Sequence, residues 1–373
     1  MSFIILTINA GSSSLKVAAF EHVGGMLRLL AHENVEQRAA GVPGDFLARH
    51  GIGRVSRVAH RVVHGGDFQQ PVLLDARVEA EIERLAPFAP LHNPFALDAI
   101  RACRSHLGTE VPQIAVFDTA FFVGLPDVAR SYALPHEFAA RHGLRRYGFH
   151  GIAHCSMWRQ WLQAEHRSGG RVISLQLGAG CSMAAVKDGR ALDTSMGFSP
   201  LEGLVMATRC GDIDAGLLIY LERELGLSNE RLDEMLNRHS GLDGVSGATG
   251  DMRELLQSTD SRVRLAIDLY CYRARKYIGA YLTVLGGADA ILFGGGVGEN
   301  AWRIREQTLS GLEWAGISLD AGRNRAAVGA GTAQHISGPR AHPALGIAVW
   351  VIPVDEEAIL AQETVSVQGV KNA

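Results

Sequence analysis

The sequence predicts an α/β fold in two domains of related build. Short apolar, strand-like runs alternate with stretches of helical spacing along the chain. Its 373 residues exceed what one hydrophobic core usually serves. Two strand–turn–strand segments about half a chain apart also align with one another, as an internal duplication would.

The first segment runs Ile4-Ile5-Leu6-Thr7-Ile8, then Asn9-Ala10-Gly11-Ser12-Ser13-Ser14, then Leu15-Lys16-Val17-Ala18-Ala19-Phe20. The second runs Val172-Ile173-Ser174-Leu175-Gln176-Leu177, then Gly178-Ala179-Gly180-Cys181-Ser182, then Met183-Ala184-Ala185-Val186. Small turn residues between apolar runs read as β-hairpins. Setting Gly11 on Gly180 aligns Ala10 with Ala179 and Ser13 with Ser182. In a third segment Ala290-Ile291-Leu292-Phe293 precedes Gly294-Gly295-Gly296-Val297-Gly298 and Glu299-Asn300-Ala301-Trp302, which reads as strand, glycine turn and helix. The start of such a helix offers unpaired N–H groups to an anion or a nucleotide. Ser261–Leu285 puts Val263, Ile267, Tyr270, Ala274 and Ile278 on one face of a long helix that Gly286-Gly287 ends. Hinges near 118–124 and 353–358 divide the chain into residues 1–120 with 356–373, and residues 121–355.

Composition excludes several classes. Hydrophobic residues at 47% and charged residues at 20% fit a globular chain and not a disordered one. A net charge of −3 with both signs dispersed lacks the basic footprint of a nucleic-acid binder. The first nine residues have neither a charged n-region nor a long apolar core, so they read as a buried strand. No apolar run approaches the ~18 residues a membrane helix needs. The five cysteines are odd in number and form no C-x-x-C pair, which argues against a disulfide framework or zinc site and fits a reducing cytoplasm. No G-x-x-x-x-G-K-[ST] or H-E-x-x-H occurs, and Gly294 to Gly298 does not follow G-x-G-x-x-G.

Polar residues cluster at strand ends and turns. His60-Arg61-Val62-Val63-His64-Gly65-Gly66 places a cation in an apolar strand, and alternation sends Arg61 and Val63 to one face. A guanidinium beside an aliphatic chain suits a small carboxylate with an alkyl tail, and a structural strand-end arginine fits as well. His92, in Leu91-His92-Asn93-Pro94, reads as a capping residue or a site residue. Asp118 follows the apolar Ile114-Ala115-Val116-Phe117, so it stands at a strand's C-terminal end as either a ligand or a helix N-cap. His150 lies between glycines in Tyr147-Gly148-Phe149-His150-Gly151, a packed turn or a catalytic one. Asp193-Thr194-Ser195-Met196-Gly197-Phe198-Ser199-Pro200 leads to Thr208-Arg209-Cys210-Gly211-Asp212-Ile213-Asp214, where Arg209 either pairs with the nearby acids or lines a site.

In order and spacing these segments, from Asn9 through Lys16 to Asp355-Glu356-Glu357, resemble the acetate kinase family of the acetate and sugar kinase, Hsc70 and actin superfamily. Asp193 to Asp214 is the most specific stretch. The resemblance implies two duplicated actin-like, ribonuclease H-like domains with an active-site cleft between them. It also implies a Mg²⁺- or Mn²⁺-dependent, reversible, in-line phosphoryl transfer between ATP and acetate, giving acetyl phosphate and ADP, in a cytoplasmic homodimer with a dimer interface on the second domain. A carboxylate nucleophile is ionised near neutrality, since such acids titrate near pH ~4, so the site needs cations and rigid donors more than a base.

By the same resemblance Arg61, Asp118, His150 and Arg209 are catalytic, with Arg61 and Arg209 bracketing the carboxylate and the phosphoryl group. Arg61, Val63, Leu91, His92, Phe149 and Pro200 bind the acid. Asn9 and Glu356 organise the metal. Ser12, Ser14 and Lys16, with Gln176, Leu177, Gly178, Ala179 and Gly180, contact phosphates. Asp251, Met252, Arg253, Gly295, Gly296, Val297, Gly298 and Asn300 form the adenosine side. The chain departs from the family at Gln176 and Ala179, where H-L-G-N-G is usual, at Phe122 in place of histidine, and at Cys210 in place of serine. A propionate or short-chain fatty-acid kinase is the alternative within the class, and an ATP-binding protein with weakened catalysis is the alternative outside it. Cys181 and Cys210 read as buried structural thiols or as reactive ones.

Overall fold

The computed structural model of the protein describes residues 2–11, 15–35, 42–90, 92–339, 346–365 and 367. The chain forms two units, one of Met1–Val123, Phe149–Ser156 and Asp355–Ala373, the other of Gly124–Gly148 and Met157–Val354.

In the first unit six strands form one sheet: β1 (Phe3–Ala10), β2 (Leu15–Val23), β3 (Met26–Val35), β4 (Val55–Val62), β5 (Val72–Leu73) and β6 (Gln113–Phe117). Their order is β3-β2-β1-β4-β6-β5. β1, β2 and β3 form an antiparallel meander, β4 and β6 run parallel to β1, and β5 closes the edge antiparallel. The second unit holds β7 (Arg171–Leu177), β8 (Cys181–Lys187), β9 (Arg190–Thr194), β10 (Ala290–Gly294), β11 (Gln334–His335) and β12 (Ala348–Val351). Their order is β9-β8-β7-β10-β12-β11, again with a meander, two parallel strands and an antiparallel edge. The two sheets share one topology, so the faint repeat is an architectural duplication. Both expected hairpins, β1–β2 and β7–β8, occupy the same place in it.

Burial explains the central strands. All but one residue of β1 is buried, as is every residue of β6 and β10. Such near-continuous apolar runs are what a sheet covered on both faces requires. The Ser261–Leu285 helix has the expected bounds, with Asp260 capping its start and Gly286 in the left-handed conformation ending it. Its buried face includes Ala266, while Ile267 is only half-buried.

Residues 149–156, which the sequence reading groups with the second domain, lie in the first unit. Ile152 packs there against Ala59, Ile114, Val116, Ile359 and Leu360. The Glu356–Val365 helix joins the same core, and Arg57 Nη1 donates to Thr364 O at 2.7 Å near its C-terminal end, where a cation is favoured. No helix among the described residues is long and apolar enough to cross a membrane.

Candidate active site

Adjacent parallel strands explain the first cluster. β1, β4 and β6 lie side by side and end near the same sheet edge, where β1 carries Asn9, β4 carries Arg61 and Asp118 directly follows β6. Arg61 Nη2 donates to Asp118 Oδ2 at 2.7 Å and Nε reaches the same oxygen at 3.1 Å. Arg61 Nη1 donates to Asn9 Oδ1 at 3.1 Å and to Glu356 Oε2 at 3.0 Å. Asn9 Nδ2 donates to Glu356 Oε2 at 2.7 Å and to Glu357 Oε1 at 2.9 Å. These bonds fix the amide so that Oδ1 turns toward the cation. Lys16 stands opposite Asn9 across the β1–β2 hairpin and is exposed.

Burial works against the Arg61 charge, but the Asp118, Glu356 and Glu357 carboxylates outweigh it and raise its pKa. Burial and Glu356 push the Asp118 carboxyl upward against the pull of Arg61. Asp118 is fully buried, and a backbone hydrogen bond from Ile152 also favours its ionised form. It begins the Asp118–Phe122 3₁₀ turn, whose N-cap is Phe117, so its carboxylate serves Arg61 and the N-cap reading is corrected.

His150 has φ +60°, a left-handed conformation that strains a side-chain-bearing residue by ~1–2 kcal/mol. The following Gly151 is compelled by close approach, since a Cβ there would come within 2.0 Å of Asp118 O. The turn is thus fixed against the Asp118 segment. Phe149 and Val63 are buried, although β4 ends at Val62, so strand alternation does not carry through to Val63. His92 is the N-cap residue of the Asn93–Leu107 helix and makes no side-chain cap. The buried Asn93 brackets the chain after β4, accepting from His64 N at 3.0 Å and donating to His64 O at 3.0 Å. Phe122 is buried beside the His154 ring. Ser12, Ser14 and Leu91 lie outside the described residues.

The second cluster belongs to the second unit. Arg209 Nη1 donates to Pro200 O at 2.6 Å and pairs with no acid among the described residues. Burial lowers its pKa. The acids near it in sequence are engaged elsewhere. Asp212 accepts from Arg273 at 2.9 Å and Tyr277 at 2.9 Å, and Asp214 caps the Ala215–Arg223 helix. The salt-bridged reading of Arg209 is therefore corrected. The segment before it is clamped by Arg146, which donates to the carbonyls of Thr194, Ser195 and Met196 and, at 2.6 Å, to Glu202 Oε1. Tyr132 donates to Glu202 Oε2 and accepts from Phe198 N.

A cavity of about 740 Å³ opens in this unit. Gly178, Ala179, Asp251, Met252, Arg253, Gly296, Val297 and Asn300 line it, which brings together three segments far apart in sequence. Ala207, Thr208, Gly250, Leu256 and Ala301 also line it, and sequence reasoning missed them. Apart from the Thr208 hydroxyl, which donates to Asn237 O, they carry no polar side chain and gave no chemical signal beyond adjacency to Arg209, Asp251 and Asn300. Gln176, Leu177, Gly180, Gly295 and Gly298 are not among its lining residues. Gly295 packs on Leu177 O and the Gln176 amide, Gly298 on Leu177 and Phe293, and Gln176 Oε1 is buried without a partner. The Gly295–Asn300 helix has six residues, and its first N–H, that of Gly295, donates to Glu299 Oε1 at 2.9 Å. Asp251 caps the Met252–Leu255 helix and pairs with Arg253, which lowers its pKa. Burial raises the thiol pKa values of Cys181 and Cys210, so the reactive reading is corrected to a structural one.

Asn9 Oδ1 and Glu356 Oε2 converge on one cationic nitrogen of Arg61. That position is taken by the guanidinium, and among the described residues no three His, Cys, Asp or Glu side chains gather as a metal-binding group.

The Acetokinase family model matches residues 47–362. The acetate kinase of Solibacter usitatus is 47% identical over 318 residues, covering 83% of this chain and 75% of that protein. The acetate kinase of Streptomyces coelicolor is 41% identical over 397 residues, covering 96% of each chain. Crystal structures of Porphyromonas gingivalis acetate kinase (34% identity, TM-score 0.85, 98% of this chain and 99% of that one) and a Francisella tularensis propionate kinase (35%, 0.85, 97% and 98%) share the fold. The duplicated sheets, the acid-bound arginine and these matches make the chain a member of the acetokinase family.

Proposed function

We propose that the protein is an ATP:acetate phosphotransferase that forms acetyl phosphate and ADP, and runs in reverse. The observation that carries this is a pair of half-buried arginines, Arg61 and Arg209, in a protein whose second unit has a nucleotide-sized cavity. A carboxylate oxygen of acetate attacks the γ-phosphorus, the bond to the β,γ-bridging oxygen breaks, and ADP leaves with that electron pair. No proton must be removed. Arg61, oriented by Asp118, and Arg209, held on Pro200, offset the repulsion between the two anions. His150, fixed by its strained turn, donates to the charge that develops. Asn9 and Glu356 would hold Mg²⁺, which would neutralise phosphate charge when bound. The phosphate-side residues Ser12, Ser14, Lys16 and Gln176 to Gly180, and the adenosine-side residues Asp251 to Arg253 and Gly295 to Asn300, serve the nucleotide. Val63, Leu91, His92, Phe149 and Pro200 serve the acid.

Propionate is the second reading, favoured by the likeness to a propionate kinase. One methylene is worth only ~1–3 kcal/mol in such a pocket. Hydroxylamine trapping with ATP, Mg²⁺ and separately acetate, propionate or butyrate decides it. Acetyl hydroxamate at least equal to the propionyl product supports acetate, and preference for a longer acid renames the substrate. No product from any acid overturns the assignment in favour of nucleotide binding alone.

We also propose a homodimer through the Ala215–Arg223 helix, which has no buried residue and exposes Leu217, Ile219 and Tyr220. The odd count of five cysteines, with no C-x-x-C pair, suits a cytoplasmic location.

A further inference from the structure

The Gly295–Asn300 helix is a short, glycine-rich wall of the cavity, closed within itself by Asn300 Nδ2 donating to Gly296 O at 3.0 Å. Gly295, Gly296 and Gly298 are half of its residues, and each glycine weakens a helix by ~1 kcal/mol relative to alanine. Yet Gly296, Val297 and Asn300 line the cavity. Two charged side chains add further support to this turn. At its start Glu299 Oε1 accepts from Gly295 N at 2.9 Å and Val354 N at 3.1 Å. At its end Arg305 Nη1 donates to Gly298 O at 2.7 Å and Glu299 O at 2.9 Å, closing carbonyls that a helix terminus leaves open.

Arg305 is itself fixed. Nε donates to Asn324 Oδ1 at 2.7 Å and Nη2 to Asn324 O at 2.6 Å, while Asn324 Nδ2 donates to Trp302 O at 3.0 Å. Arg305 is 0% exposed, and no carboxylate among the described residues pairs with it. Burial lowers its pKa to about 10, so it remains charged at neutrality. A buried cation without a counter-ion is costly in a fold. Its planar fork spans two carbonyls of the glycine turn and two oxygens of Asn324, a geometry no lysine or apolar residue reproduces.

We propose that Arg305 is a positioning residue for the nucleotide, clamping the glycine turn into the shape the ligand needs without touching the ligand. This rests on the reading of the cavity as the nucleotide site. A merely structural arginine would, when changed, lower thermal stability and the active fraction while leaving both KM values alone.

The test uses Arg305→Lys and, should that chain not fold, Asn324→Ala, which removes the acceptor of Nε. Calorimetry with Mg²⁺–ADP, KM for ATP and for acetate, and amide hydrogen exchange over 295–301 are compared with wild type. The clamp gives weaker ADP binding and a raised KM for ATP by about tenfold or more. KM for acetate stays within about twofold, and exchange accelerates locally with the far-UV spectrum intact. ADP affinity and local exchange equal to wild type, or both KM values rising together with global loss of stability, overturn the clamp. No ADP binding by the wild-type chain instead overturns the reading of the cavity, and separates that failure from this one.

Discussion

Arg61 and Arg209 are both half-buried arginines proposed to act on the reacting anions, and their surroundings are opposite. Arg61 is saturated, with Asp118, Glu356 and Asn9 on its fork and Glu357 near enough to raise its pKa. Among the described residues Arg209 has one hydrogen-bond partner, the Pro200 carbonyl, and burial lowers its pKa. A neutralised guanidinium is an oriented donor set whose direction is fixed before any ligand arrives. An uncompensated one is a charge still seeking a counter-ion. We infer that Arg61 supplies geometry and Arg209 supplies attraction.

The largest effect tests that division at the level of turnover. Arg61→Ala and Arg209→Ala each lower kcat/KM by about 10²-fold or more, as removal of a transition-state donor does, with the fold retained. Near-wild-type turnover in both would break the comparison along with the site. Lysine substitution sharpens it, because lysine keeps the charge and loses the fork. Arg209→Lys retains more activity than Arg61→Lys, read as the ratio of their kcat/KM values, and the reverse order removes the distinction.

Stability separates the two next. Arg61→Ala leaves the buried Asp118 carboxylate without its cation and destabilises the chain by about 3–5 kcal/mol in denaturant unfolding. The additional Asp118→Asn change recovers much of this. Arg209→Ala removes an unpaired buried charge and costs under about 1 kcal/mol. Equal losses in the two alanine variants would mean Arg209 has a counter-ion after all.

The last effect is on acid stability. Burial lowers His60 to about 4 and His154 to about 3, from an ordinary 6.5, and both lie in the unit that carries Arg61. Between pH ~6.5 and ~4 the unfolded chain binds protons the native state refuses, so stability falls as pH falls through that window. For His60 this is on the order of 3 kcal/mol, and it levels off below pH ~4. His60→Leu flattens the dependence of unfolding free energy on pH. An unchanged slope would mean that His60 is not held neutral in the native chain.

Much of this molecule was legible because backbone rules are local. The hairpin β1–β2 and its counterpart β7–β8 follow from small turn residues between apolar runs, and Ser261–Leu285 from spacing, an Asp260 cap and a terminal glycine. Asp118 at the end of β6 follows from the apolar run before it. The site residues were legible as motifs, but sequence left each with two readings. Asp118 fitted a cap and Arg209 a surface ion pair as well as a site role, and Cys181 left a reactive thiol open beside the commoner structural one.

Only the tertiary structure decided among these, because burial and partners depend on what distant strands bring alongside. Parallel pairing of β1, β4 and β6 put Asn9, Arg61 and Asp118 at neighbouring strand ends, and the Glu356–Val365 helix added two carboxylates from the far end of the chain. The same cause hid Ala207, Gly250 and Arg305. Small or buried residues acquire a role through the cavity wall they shape, and that wall does not exist until three remote segments meet.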